Sequence, residues 1–550
     1  MQLKPWINQY DAHVPASIQY PQSSLVDLLN SSVYKFSEKT CIVFENLTLT
    51  YRRVDELSSK LAKWLASIGI KRSDKVGIII PNLPQFILVY FAILKCGGIV
   101  VAMNPYYRQR EIQEFIELTE VKAIFCLEEI VSVVKKSIKD SASVTIITSS
   151  QDEIRQICGL KNNLNYGERF SNKKTFTLLE ILKQENFIDR LPEPSYDDPA
   201  ILQITGGTTG TPKAAIGLHK NLVANTIQFC KWCNLQSGEE TFLSAIPLYH
   251  VYGMVLAMCL GIYVGAKIVL MTDPRRIDVI LQLIEKFRPT FFPGVPGMFY
   301  GITINEKVQN RECDLSSIRA CISGSAPLPA DVKRRFELLT GGKLMEGYGL
   351  SEAPTATHCN PLNGKNKVNS IGLPLSDVDC RIMNIDNEDQ EVPPDEVGEL
   401  VIRGPQVMQG YLNNPQETLS SLRNGWLYTG DVAHMDQEGY FYIIDRKKSL
   451  IKVSGFQVWP SEIEKIINEH YAVKESCVGG IPEKVHGEKV IAWVVLKPNL
   501  IVTQKEIKNW CRKHLVSYKI PNKVIFIPEL PKTTIGKILR RELIRSYLEK

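Results

Sequence analysis

Thr50 to Ile80, TYRRVDELSSKLAKWLASIGIKRSDKVGIII, holds the alternation that decides the fold. Leu57, Leu61, Trp64, Leu65 and Ile68 recur at three- and four-residue steps, which puts them on one face of a helix. A polar turn follows, and Val76 to Ile80 then reads as a buried strand. The pattern continues outward. Ala123 to Cys126, Val144 to Thr148 and Lys267 to Met271 are short apolar runs, while Ile277 to Phe287 has helical periodicity. Helices alternating with buried strands predict an α/β fold with a largely parallel sheet.

At 550 residues the chain exceeds one ordinary core, so a large body with a smaller appendage is expected. Apolar residues make up 44%, charged residues 23%, and the formal net charge is +6. So weak a basic excess over so large a surface does not mark a nucleic-acid partner, and it suits anionic small molecules equally well. Thirteen cysteines run from Cys41 to Cys511 without regular spacing. MQLKPWINQYDAHVP lacks the apolar stretch of a signal peptide, and the final SYLEK matches no peroxisomal or retention address. A reducing cytosol is the expected compartment. Cys230 and Cys233 form a CxxC with no second pair at metal spacing, so they read as two thiols on a helix.

Thr241 to Ala266, TFLSAIPLYHVYGMVLAMCLGIYVGA, contains no Asp, Glu, Lys or Arg and has the length of a membrane span. Pro247, His250, Gly253, Gly261 and Gly265 interrupt it, which favours a buried strand, turn and helix. Ser149 to Lys174 is polar and rich in Asn and Lys, as in a surface excursion. Past Gly398 the texture changes to short β-like runs with turns between them. The expected division is a body over residues 1–445 and a small α+β unit over 446–550, with Arg446-Lys447-Lys448 at the junction.

Thr205-Gly206-Gly207-Thr208-Thr209-Gly210-Thr211-Pro212-Lys213 follows the apolar Ile201 to Ile204. Glycines let backbone N–H groups converge on phosphate oxygens, threonine hydroxyls add donors, and lysine adds charge. A Walker A loop would need glycine and lysine where Thr211 and Pro212 stand. Three glycines alone would describe an ordinary turn. Four threonines, a proline and a lysine in the same nine residues point to phosphate binding.

This segment resembles the phosphate-binding signature of the adenylate-forming superfamily, which includes acyl-CoA synthetases, luciferases and peptide-synthetase adenylation domains. Four further motifs follow in the family's order: Gly347-Tyr348-Gly349-Leu350-Ser351-Glu352, Tyr428-Thr429-Gly430-Asp431, Asp445-Arg446 to Gly455, and Pro531 to Lys537. The resemblance implies a large domain of α/β sheets and helices with a β-barrel-like subdomain, and a small mobile α+β C-terminal domain. It implies that Tyr348 stacks on adenine, that Ser351 binds phosphate, and that Thr208 and Glu352 hold magnesium, a hard ion suited to oxygen donors. Asp431 and Arg446 are the implied ribose ligands. Gly324, Ser325, Ala326, Glu346 and a tyrosine assigned to position 443 join them as nucleotide contacts. Lys537 is implied to bridge the carboxylate and the α-phosphate, and His250 to position the substrate. Lys448 is the implied hinge, while Lys452 and Gly455 serve the second step.

The implied reaction joins a carboxylic acid to coenzyme A through an acyl-adenylate, with ATP, magnesium and coenzyme A. The apolar run Phe291 to Pro296, Ser323 to Pro327 and Ala353-Pro354 are the expected walls of an acyl tunnel. The wording around EGYGLSEAPTATHCNP is similar to that of medium- and long-chain fatty acid ligases. Aryl-CoA ligases, and acyl-AMP ligases that deliver to a carrier protein, share the motifs and stay open as alternatives. Two departures stand out: Gly206 replaces a common serine, and Gly217-Leu218-His219 replaces the usual Leu-Thr-His. A relative that only binds nucleotide or lipid is the non-enzymatic alternative, against which intact Lys537, Glu352 and Asp431 weigh. The expected partners are small molecules rather than nucleic acid, in a monomer or homodimer compatible with peripheral membrane contact.

Overall fold

The computed structural model describes residues 4–139, 143–159, 175–184, 191–206, 212–453, 456–483, 487–533 and 536–549. The opening segment folds as its periodicity demands. Thr50 caps the helix Tyr51–Ser67 by accepting from the backbone N–H of Arg53, and Lys75–Ile79 is the strand that follows. Leu57, Leu61, Trp64 and Leu65 are buried, but Ile68 is the C-cap residue and is exposed, because the helix ends one step before the periodicity does.

Lys75–Ile79 is a central strand of an eight-stranded sheet. Its neighbours Ile99–Ala102, Ala123–Leu127, Thr145–Ser149, Thr175–Thr177 and Pro199–Gly206 run parallel, and Pro212–Leu218 turns back antiparallel. A nine-stranded sheet has a parallel centre built from Thr40–Phe44, Lys267–Leu270, Thr241–Ser244, Phe291–Gly294, Ala320–Ser323 and Lys343–Leu350. The helix Pro84–Lys95 is buried at every position and the helix His219–Trp232 at nearly every one. Each touches strands of both sheets, which is why neither has a polar face.

The uncharged stretch resolves into the strand Thr241–Ser244 and short helical turns from Val251 to Tyr263, all packed in the core. Among the described residues no helix is long and apolar enough to cross a membrane. Cys230 and Cys233 stand at the end of the helix His219–Trp232, and burial raises both thiols, Cys230 to about 11, which favours the protonated form. The polar excursion begins with the helix Glu153–Gly159, and residues 160–174 lie outside the described residues.

Where a barrel-like subdomain was expected, the structure has a five-stranded antiparallel sheet of Asp379–Met383, Gly398–Arg403, Leu422–Arg423, Trp426–Met435 and Phe441–Arg446. Beyond it a second five-stranded sheet, from Ile451–Val453 to Lys523–Phe526, carries the helices Pro460–Asn468, Gln504–His514 and Arg540–Leu548. This part has its own apolar clusters, one around Val458, Ile463 and Val490 and one around Ile491, Trp493 and Leu543, separate from the main core.

Candidate active site

The cleft lies beyond the carboxyl ends of the parallel strands of the nine-stranded sheet, where open α/β sheets place their ligands. Gly324 to Ala326 follow the strand Ala320–Ser323, and Gly347 to Glu352 close the strand Lys343–Leu350. Tyr252 pins this edge by donating to the carbonyls of Gly294 and Ile322 at 3.0 and 2.9 Å, with its ring against Gly324. Gly349 must be glycine, because a Cβ there would sit 1.8 Å from the Thr355 carbonyl oxygen.

The antiparallel sheet supplies the opposite wall. Asp431 and Arg446 are cross-strand partners in its ladder, and their side chains form an ion pair at 2.5 Å. Tyr348 donates its hydroxyl to the other oxygen of Asp431 from the nine-stranded sheet. A carboxylate only 4% exposed is thus fixed by one cation and one hydroxyl. Glu399 accepts from the backbone N–H of Gly430 and is paired with Lys447 at 2.7 Å, which holds the Thr429-Gly430 turn in place.

Glu352 accepts from the hydroxyl of Tyr411 at 2.8 Å. Lys213 lies over the Tyr411 ring at 5.4 Å and its ammonium is paired with Glu417, so its charge is already matched and it braces the Tyr411–Glu352 contact. Thr205 and Gly206 end the strand Pro199–Gly206 opposite Lys213 and Pro212. Gly207, Thr208, Thr209, Gly210 and Thr211 lie outside the described residues, as does Gly455. Among the described residues no group of three or more His, Cys, Asp or Glu could hold a metal by itself. A single fixed carboxylate, Glu352, fits a magnesium ion that takes its other ligands from water and substrate phosphates.

Lys537 comes from the far side. Thr533 and Lys537 close a turn through Thr533 N–H to Lys537 C=O at 2.8 Å and Lys537 N–H to Thr533 Oγ1 at 3.1 Å, with Gly536 at φ +81°. Lys537 is exposed, yet partial desolvation in the cleft and the nearby Arg446 lower its pKa, while Asp431 and Glu352 raise it. His250 is on the same cleft: burial first, and then Lys537, push its pKa down to about 4. Its Nδ1 accepts from the backbone N–H of Tyr252 at 3.2 Å. The neutral ring therefore carries its proton on Nε2, a donor toward the cleft.

Other expected residues stand apart. Lys452 is an exposed residue of the strand Ile451–Val453, its backbone N–H bound by Glu488. Lys448 lies in the single turn Lys447–Ser449. Ser351 is half-buried, and Ser325 is exposed with φ +72°. Glu346 is buried, and burial raises its pKa to about 8 against a backbone bond from Leu328. Position 443 is corrected: it is Ile443, an apolar residue packed on the core, and the tyrosine is its neighbour Tyr442, which stacks on His434 and donates to Asp436. Phe291 and Phe292 are fully buried, and Phe292 packs on Phe299 at 5.4 Å between ring centres. In the departure from the usual Leu-Thr-His, His219 is buried and its Nδ1 accepts from the N–H of Leu25. Tyr411, Glu417 and Tyr252 are contacts that no sequence motif announced.

Residues 29–412 match the model for the AMP-binding enzyme family, and residues 462–537 match that for the AMP-binding enzyme C-terminal domain. The chain belongs to the AMP-binding enzyme family. It is 38% identical to a long-chain-fatty-acid–CoA ligase of Bacillus subtilis (strain 168), over 99% of this chain and 98% of that protein. Among solved structures it resembles ATP-bound MatB from Rhodopseudomonas palustris, with a TM-score of 0.81 at 26% identity over 95% of this chain and 99% of that one. The apo form of MatB gives 0.70 over the same shares of the two chains.

Proposed function

We propose that this chain is an AMP-forming acyl-CoA ligase that activates a medium- to long-chain fatty acid. The observation that carries the reading is the convergence of Asp431, Arg446, Tyr348, Glu352, His250 and Lys537, drawn from the ends of two sheets and from a turn of the C-terminal unit, on one cleft. The fatty acid is supported by the B. subtilis relative, which matches over nearly its whole length.

A carboxylate is a poor electrophile, so the first step must convert its oxygen into part of a better leaving group. One carboxylate oxygen attacks the α-phosphorus of ATP, the bond to the β-phosphate oxygen breaks, and pyrophosphate leaves. Asp431, held by Arg446 and Tyr348, accepts from the ribose hydroxyls. The ammonium of Lys537 neutralises charge as the acyl–phosphate bond forms, and the Nε2–H of His250 donates to the reacting carboxylate. Glu352, with Thr208, would hold magnesium, which would neutralise the phosphates when bound.

The body over 1–445 and the unit over 446–550 then turn about Lys448, which withdraws Lys537 and brings Lys452 and Gly455 to the adenylate. The thiol of coenzyme A attacks the acyl carbon and AMP leaves. The closer likeness to the ATP-bound MatB than to its apo form supports the view that Lys537 is seated here for the first step. The enzyme acts in the cytosol as a monomer or homodimer that meets its acid at a membrane surface, which vesicle flotation and sedimentation velocity check.

The test of the reading is AMP release from a panel of carboxylic acids with and without coenzyme A. Chains of medium to long length should give the highest kcat/KM, with thioester formed only when coenzyme A is present. A preference for aromatic acids would replace the fatty acid, and AMP release that ignores coenzyme A would replace the thioester step.

A further inference from the structure

We propose that Asp445 and Arg540 form a clasp across the hinge that positions Lys537 for the first half-reaction only; this rests on the two-step reading above. Asp445 is the last residue but one of the strand Phe441–Arg446, three residues before Lys448, and its side chain is 5% exposed. Its Oδ2 accepts from the backbone N–H of Ser461 at 2.9 Å, in the first turn of the helix Pro460–Asn468. That helix has no cap from its own side chain at Trp459, so a carboxylate on the other side of the hinge satisfies its N-terminus. Oδ1 of Asp445 accepts from the N–H of Arg446 at 2.7 Å and faces the guanidinium of Arg540 at 3.4 Å.

Arg540 begins the helix Arg540–Leu548, three residues after Lys537. Its second partner is Glu464 at 2.9 Å, which also accepts from the N–H of Val478 at 2.7 Å. Glu464 and Arg540 lie on the same side of the hinge, so their pair persists through a rotation about Lys448. The links from Asp445 to Ser461 and Arg540 cross the hinge, and a rotation must break them. A contact made in one arrangement alone alters only the half-reaction that uses this arrangement. Asp445 and Arg540 are therefore positioning residues that act through Lys537 and touch no substrate.

The experiment compares pyrophosphate exchange with conversion of preformed acyl-adenylate by coenzyme A in the full-length enzyme. Asp445→Asn should slow exchange about tenfold, the loss expected of a charge-assisted contact, and leave the second assay within about twofold. Arg540→Lys, which keeps the charge, should retain more exchange than Arg540→Gln. Glu464→Gln should affect both assays alike, since its bonds persist in both arrangements. Equal losses in the two assays for Asp445→Asn and for Arg540→Lys overturn the clasp, and so does exchange in Asp445→Asn that matches the unaltered enzyme. An unaltered enzyme that performs neither half-reaction overturns the ligase reading itself.

Discussion

The two walls of the cleft are built differently. On the body side, Asp431 is locked by Arg446 and Tyr348, and Glu352 by Tyr411, which Lys213 and Glu417 brace from behind. On the C-terminal side, Lys537 stands on a short turn closed by its own bonds to Thr533, in a unit with separate apolar clusters. One wall is preorganised for binding. The other has a core of its own apart from the main one, which suits the proposed mechanism, in which one lysine serves only the first of two steps.

Lys537→Ala gives the largest expected effect on this contrast. Pyrophosphate exchange should fall at least about 100-fold, as for loss of a group that stabilises transition-state charge, while preformed acyl-adenylate still turns over. Equal damage to both half-reactions would show that the two walls act as one. On the fixed wall, Asp431→Ala leaves the half-buried Arg446 and Tyr348 without their partner. It should lower kcat/KM for ATP by about 2–3 kcal/mol, seen in full-turnover kinetics. Lys452→Ala should slow conversion of acyl-adenylate by coenzyme A about tenfold, with exchange intact, if the withdrawn arrangement brings this exposed residue to the site.

A separate effect is on stability and comes from the fixed body alone. His219, His250 and His358 are held neutral by burial, with pKa values of about 4, 4 and 3. Their folded values lie below the unfolded 6.5, so stability present above that pH is lost as pH falls toward about 4. Glu346 has the opposite sign. Its folded value of about 8 lies above the unfolded 4.5, so its contribution is full below 4.5 and drains as pH rises to about 8, at up to about 1.4 kcal/mol per pH unit. Urea unfolding at pH 5, 7 and 8.5 checks both arms, and Glu346→Gln should flatten the alkaline one.

Much of the body was legible because burial imposes periodicity. The helix Ile277–Phe287 begins and ends where its pattern does, and Lys75–Ile79 falls within a residue of expectation. Ile68 shows the limit: periodicity marks a face, but the helix stops where its chain turns. In the site, Asp431, Arg446 and Lys537 were legible through their motifs, whereas Tyr411 and Glu417 were not. Tyr411-Leu412-Asn413-Asn414-Pro415-Gln416-Glu417 reads as a turn and a capped helix start, and nothing local shows that its carboxylate will meet Lys213.

The sequence by itself determined the alternation of helices and strands and the residue types from which the chemistry is made, because both depend on spacing and side-chain identity within a few turns of chain. Tertiary structure alone decided which charges meet. Asp431 takes Arg446 through strand register and Tyr348 through the approach of a second sheet. Lys213, a free cation when read in its loop, is matched once the strand carrying it packs beside Glu417. Partners separated by long stretches of chain are chosen by the packing of whole elements, and no local spacing encodes that choice.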